Sequence, residues 1–431
     1  MIVLSELPKG WSEVTVDKVL ISYESGSRPK GGVRGISDGI PSIGGEHLSY
    51  SGGFNFSNIK YVPLEFANSM NRGRIQLNDI LIVKDGATTG KTAFVDKQFP
   101  FNFSVANEHV FVCRVNEKNY PKYIFHYLYS YEGQKRILEN FQGSAQGGIN
   151  KSFAGGTSIP LPPTLDDQKR IVERLELLLG KIQKANERLE KIPTILKRFR
   201  QSVLFSACSG SLTADWGEEN ECGEWENKKL IDMVGKRGIF DGPFGSNLKT
   251  SDYVNKGVRV VRLENVGVLH FIQEKESYIS EEKYHTLLNH TVFEGDVIFS
   301  SFISESVRVC QIPKLDTPAI AKADCFCIRP DKKILLNKYL CYALSNPNIY
   351  YNFVELVHGA TRPRINTTQL KNIVLSVPPL PEQEEIVRRV DKLFTLSDKI
   401  EIRYINAKAQ LARAEKAIYA KAFQGELVRQ E

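Results

Sequence analysis

The sequence predicts an α+β protein assembled twice over, in which two α/β globular domains alternate with two long helices as a pseudo-twofold tandem repeat. Three observations carry that prediction. Two stretches of about 40 residues, each opening at a proline-rich gate, hold an apolar seam at the 3.5-residue average of a coiled coil. The segments ahead of them share motifs at offsets of 214 to 217 residues. Between those motifs lie short apolar runs punctuated by turn residues, the pattern of strands.

The first gate reads Pro162-Pro163-Thr164-Leu165-Asp166-Asp167-Gln168, and its helix is predicted to run to about Ala207. Its seam is Ile171, Leu175, Leu178, Ile182, Ala185, Leu189, Ile192, Leu196, Phe199 and Val203, spaced alternately by 4 and 3. Adding 215 gives the second seam: Ile386, Val390, Leu393, Ser397, Ile400, Tyr404, Ala407, Leu411, Ala414 and Ile418, behind the gate Pro378-Pro379-Leu380-Pro381-Glu382-Gln383. At ~1.5 Å per residue each rod would be roughly 60 Å long. Neither can bury its seam alone, so the economical arrangement has the two bury each other. Pro193 interrupts the first helix where the second has Lys408. Proline inside a helix costs ~3 kcal/mol, so the first is expected to kink or split and the second to run on.

The repeat extends into the globular parts. Gly10-Trp11 recurs as Glu224-Trp225, Asn78-Asp79-Ile80 as Gly295-Asp296-Val297, and Lys122-Tyr123-Ile124 as Lys338-Tyr339-Leu340. Gly143 to Asn150 recurs as Gly359 to Asn366. The chain therefore divides into a first globular domain (1–161), a central helical region (162–212), a second globular domain (213–377) and a distal helical region (378–431). Residues 79–83, 105–115, 258–262 and 296–299 read as strands, and 121–130, 133–140 and 337–345 as short helices.

Composition sets the class. With 42% hydrophobic and 25% charged residues this is an ordinary globular chain. No apolar run approaches the ~18 residues of a membrane span. The seven cysteines are scattered, and Cys325 and Cys327 suit one face of a strand, so free thiols and a cytoplasmic location are expected. A net charge of +7 permits a nucleic-acid partner.

Catalytic signatures are missing. Asp85-Gly-Ala-Thr-Thr-Gly90-Lys91-Thr92 imitates a phosphate-binding loop but has Asp85 where that motif needs glycine, and a strand follows instead of a helix. A hairpin with a basic tip is the better reading. There is no Asn-Pro-Pro-aromatic tetrad, no glycine-rich nucleotide loop and no histidine spacing for a metal; His285 and His290 read as surface or core residues. What remains is a set of loops mixing glycine, small polar residues and cations. They are 25–32, 84–91 and 144–151 in the first half, and 241–249, 259–265 and 361–366 in the second. Glycine lets backbone approach phosphate, Lys and Arg neutralise it, and Arg, Asn, Gln and Ser can read base edges.

The chain resembles the specificity subunit of type I restriction–modification systems. The resemblance is carried by Leu7-Pro-Lys-Gly-Trp11, by Pro378-Pro-Leu-Pro-Glu-Gln-Glu-Glu-Ile386, by Ala422-Phe-Gln-Gly425 and by Phe240 to Lys249 with Tyr253 and Gly257 to Asn265. The first copy is more diverged. The resemblance implies that the globular parts are target-recognition domains, each reading half of a split DNA site, and that the helices pack as an intramolecular antiparallel coiled coil that sets the spacer. It implies no catalysis and no cofactor on this chain. Methyltransferase subunits, normally two per chain, would bring S-adenosylmethionine and methylate adenine; a nuclease/translocase subunit would use ATP with Mg. The DNA-binding residues expected are Arg28, Lys30, Lys84, Lys91, Gln146 and Lys151 in the first reader. In the second they are Phe244, Ser246, Lys249, Arg262, Asn265, Arg362 and Arg364. Against this stands a coiled-coil structural adaptor whose globular domains bind proteins. A methyltransferase in its own right lacks its motifs.

Overall fold

A computed structural model describes residues 7–143, 147–357 and 363–428. The chain divides into two compact units, Met1–Glu190 with Ile405–Glu431, and Lys191–Tyr404. Each unit thus takes one globular part together with helical segments from both gates.

In the first unit the central sheet runs Leu20–Ser25, Val110–Val115, Ile80–Val83, Thr92–Phe94, all antiparallel neighbours. Its middle strands are apolar at every position but Arg114 because both faces are covered. Ile80, Ile82, Phe111 and Cys113 face the helices, while Leu81, Val83, Val110 and Val112 face a second core. That second core carries a smaller sheet, Lys60–Val62, Ile40–Ile43 and Val105–Ala106. The second unit repeats the plan. Val234–Phe240, Cys325–Pro330, Val297–Ser300 and Val309–Gln311 form the central sheet, beside a sheet of shorter strands, five in place of three. Cys325 and Cys327 do lie on one strand face, and all seven thiols are free.

A buried ion pair braces each central sheet. Asp79 accepts from Arg114 at 2.8 and 2.9 Å and caps the turn before its strand through Gln76 N–H. Asp296 does the same with Arg329, at 2.7 to 3.0 Å, and with Phe293 N–H. The turns enter these strands at positive φ, through Asn78 (72°) and Gly295 (85°).

Three helices make the long segments: α1 (Leu165–Leu189), α2 (Ile192–Cys208) and α3 (Leu380–Phe423). The first helix is split at Glu190–Lys191, just ahead of Pro193, which sits in the first turn of α2 where its missing N–H costs nothing. The second is continuous. In the first unit α1 packs antiparallel to the end of α3: Ile171, Val172 and Leu175 meet Tyr419, Ala422 and Phe423, while Glu190 pairs with Lys408. In the second, Val203, Leu204 and Ala207 meet Ile386 and Val390, and Arg200 bridges to Asp398 and Glu401 at 2.7 and 2.8 Å. The expected seam fails at two places. Ile400 is 36% exposed and Ala414 is exposed. Near its end α3 instead buries Tyr419, Ala422 and Phe423, because it packs there into the first domain's aromatic core.

The gates are fasteners. Gln168 accepts from Tyr120 N–H (2.6 Å), and Gln383 from Leu336 N–H (2.8 Å), each capping the start of the short helix behind it. Tyr123 and Tyr339 donate to the carbonyls of Pro160 and Ser376, both at 2.7 Å. Glu176 on α1 takes Lys122 and His126, and Asp391 on α3 takes Lys338 and Tyr342. Each globular part is thereby locked to a long helix. The 213–223 segment carries a short helix and is tied down as well. Thr213 donates to Glu382 and Asp215 pairs with Arg389, both at 2.7 Å.

Candidate nucleic-acid interface

The loop from Lys84 to Lys91 joins two antiparallel strands as a hairpin, not a strand and a helix. Beside it lies the turn 107–109, which leads from the smaller sheet into the central one. Glu108 there receives Arg28 (2.9 Å), and its carbonyl receives Lys84 Nζ (3.2 Å). His109 hydrogen-bonds Asp85 and sits 3.3 Å from the Glu108 carboxylate. The backbone of 147–149 completes the patch, since Gly86 N–H donates to Gly147 and Ile149 N–H to Lys84. The loops 25–32, 84–91 and 147–149, each more than 50 residues from the next in sequence, therefore meet beside the turn 107–109. Gly26 makes this possible: a Cβ there would lie 1.7 Å from the Ala106 carbonyl oxygen.

The second unit builds the corresponding patch around the turn 322–324. Asp324, held at φ 70°, accepts from Ser301 Oγ (2.9 Å) and Arg364 (3.3 Å). Its N–H donates to Asp241 at 2.9 Å, joining the 241–249 loop. Gly242 repeats the close approach, a Cβ there falling 2.1 Å from the Lys322 carbonyl carbon. Burial pushes the Asp241 carboxyl up to about 6, against hydrogen bonds from Gly242 and Asp324 that pull it down. His290 contacts the Asp241 carbonyl, so it holds this loop.

The expected DNA-binding residues separate clearly. Arg28, Lys30, Lys151, Phe244, Ser246, Lys249 and Arg364 are exposed, Phe244 by 59%. Lys84 is half-buried within the first patch. Arg262 is half-buried, lies over the Tyr253 ring and pairs with Glu264 at 3.2 Å. Two residues are misplaced by the sequence reading. Asn265 is fully buried: its amide donates to Ile272 and Lys275 and accepts from Arg262 N–H, so it shapes its own loop. Lys91 spends its ammonium on the carbonyls of Gly45 (3.3 Å) and Leu48 (2.9 Å) and covers the Tyr50 ring, which fixes the hairpin from beneath. Gln146 and Arg362 lie outside the described residues. Glu108, His109 and Asp324 were not anticipated, because a search for cations passes over the carboxylates that hold them.

Among the described residues no three His, Cys, Asp or Glu side chains are grouped to hold a metal ion, and no helix is long and apolar enough to cross a membrane. Each unit instead presents a glycine-rich patch bearing cations, stiffened by a sheet and locked to a long helix. That is the anatomy of a protein with two polyanion readers.

The chain belongs to the family of the type I restriction modification DNA specificity domain, which matches it twice, at residues 8–194 and 223–409. It is a DNA-recognition specificity subunit carrying two recognition domains. The matches are offset by the same 215 residues as the two seams. Among relatives, the type I restriction enzyme EcoKI specificity subunit of Escherichia coli K12 is 28% identical over 99% of this chain and 91% of its own. The EcoDI specificity subunit of Escherichia coli is 31% identical over 69% of this chain and 68% of its own. A solved chain from work on complex assembly and conformational transition of the type I R-M system shares the fold. Its TM-score is 0.74 at 19% identity, over 98% of this chain and 100% of that one.

Proposed function

We propose that each globular domain reads one half of a split DNA site through the major groove and that the paired helices set the spacer between the halves. The chain directs adenine methylation, and restriction where a nuclease/translocase is present, without catalysing either. Methyltransferase subunits, two per chain, dock on the helical frame and bring S-adenosylmethionine; ATP with Mg serves the nuclease/translocase. The complex works in the cytoplasm. One observation supports this reading above the others: separated loops of similar composition converge in both copies on the corresponding turn. Within the patches, exposed Lys30, Lys151 and Lys249 suit phosphates, whereas Arg28 and Arg364 have the planar fork that reads guanine.

The test is to replace residues 240–249 and 361–366 with those of another recognition domain, express the chain with its methyltransferase subunits, and sequence the methylome of the host. One half of the methylated motif should change and the other stay. An unchanged motif would favour an adaptor with protein-binding domains.

A further inference from the structure

Among the described residues, the three arginines predicted to contact DNA are each already paired to a carboxylate of their own domain: Arg28 to Glu108 at 2.9 Å, Arg262 to Glu264 at 3.2 Å and Arg364 to Asp324 at 3.3 Å. Two of the three carboxylates belong to the same structural turn, 107–109 in one copy and 322–324 in the other. Neither is an ordinary surface acid. Glu108 Oε2 is shut off from solvent with no hydrogen-bond partner among the described residues, an unmet acceptor that costs stability. Asp324 sits in left-handed backbone, where side-chain residues are uncommon and tend to mark functional positions. Arg28 and Arg364 are 62% and 52% exposed, free to swing away once another anion competes.

We propose that Glu108 and Asp324 are specificity-determining latches, which hold the reading arginines in the free chain and release them to a matched DNA site. The inference rests on the reading of these patches as DNA-binding. Random DNA offers Arg28 or Arg364 a phosphate in exchange for a carboxylate, an even trade that strands the carboxylate beside a polyanion. A matched site offers more. Guanine O6 and N7 take the guanidinium, and an exocyclic amine of cytosine donates to the freed carboxylate. The latch thus subtracts from binding to wrong sites more than from binding to the right one, as specificity requires.

The experiment uses the full chain assembled with its methyltransferase subunits. Glu108→Gln and Asp324→Asn keep shape and hydrogen-bonding oxygen, and asparagine tolerates positive φ at least as well as aspartate. Exposed Glu117→Gln and Asp232→Asn control for the lost charge. Each latch variant should bind a random-sequence duplex about 1.5- to 5-fold more tightly than its control, the range of an exposed ion pair. In an Arg28→Ala background, Glu108→Gln should gain no more than Glu117→Gln. The methylated motif should become degenerate in one half for Glu108→Gln and in the other for Asp324→Asn. A gain equal to the control, or one that survives in the Arg28→Ala background, overturns the latch. A motif that responds to loop exchange but to neither latch variant overturns it while leaving the two readers in place; a motif indifferent to loop exchange removes the reading beneath it.

Discussion

The first and second readers differ where they would meet DNA and agree where they are held together. Both keep an Asp–Arg pair under the central sheet, a tyrosine tied to the carbonyl chain, a glutamine at the gate and a glycine where two backbones cross. The sheet of shorter strands, by contrast, has three strands in one and five in the other. The turn that receives Arg28 presents Asn107-Glu108-His109, whereas its counterpart presents Lys322-Ala323-Asp324. Side chains that meet inside one copy are fixed by geometry, so both copies need them. Side chains that meet a ligand can diverge, and divergence lets one chain read two unlike half-sites.

The brace should be the most damaging place to break. Asp79→Ala leaves Arg114 without its partner and Gln76 N–H without a cap. Breaking a buried pair costs 3–5 kcal/mol, and because Arg114 is a third exposed the lower end, about 3 kcal/mol, is expected. Asp296→Ala should cost a similar amount in the other unit. Hydrogen exchange would check this: each variant should lose protection in its own central sheet and leave the other's unchanged. Equal loss in both sheets would mean the repeats are not separate stability units.

The crossing glycines come next. Gly26→Ala or Gly242→Ala drives a methyl group into backbone that cannot give way like a side chain, at about 1–3 kcal/mol. Gly32 has open space around it and only the penalty of its φ of 79°, so Gly32→Ala should cost about 1 kcal/mol or less. Denaturant midpoints measure the difference. The effect on DNA should be one-sided as well, with Gly26→Ala weakening recognition of one half-site and Gly242→Ala the other.

These residues show what a linear reading can reach. The tandem plan was legible because covalent spacing records it: seams 215 residues apart, and a proline where one helix splits. Most strands, and the short helices near Tyr123 and Tyr339, were legible because burial on both faces leaves apolar runs, but the single strand read over 105–115 is broken by the polar turn 107–109 into Val105–Ala106 and Val110–Val115. The patches were legible only as a set of loops. Which loop side chains face outward depends on contacts between segments far apart. Asn265 and Lys91 carry groups that suit DNA and spend them on neighbouring carbonyls, as Asn265 does with Ile272 and Lys275 and Lys91 with Gly45 and Leu48. Nothing in the sequence near Glu108 announces that Arg28, 80 residues earlier, will fold against it. The helix seam drifts for a similar reason, since Tyr419 and Phe423 answer to the domain they enter more than to the heptad.

The smallest expected effect separates the readers by pH. Asp241 is the second reader's own, and the first has Ser25 ahead of the corresponding glycine. Burial raises the Asp241 carboxyl to about 6 from its ordinary 3.8. Between those values the folded state holds a proton that the unfolded state has released, so this group's contribution to stability falls as pH rises from about 4 to about 6 and is level above. Asp241→Asn keeps an oxygen for the N–H groups of Gly242 and Asp324 and removes the charge. At neutral pH the variant should therefore unfold about 2–4 °C higher, the shift that roughly 1 kcal/mol gives a unit of this size after solvent screening. The wild type's deficit should close as pH falls toward 4. A pH series of unfolding midpoints for the two proteins should converge at the acid end, and parallel curves would mean that Asp241 titrates as an exposed carboxylate and holds its loop by hydrogen bonds alone.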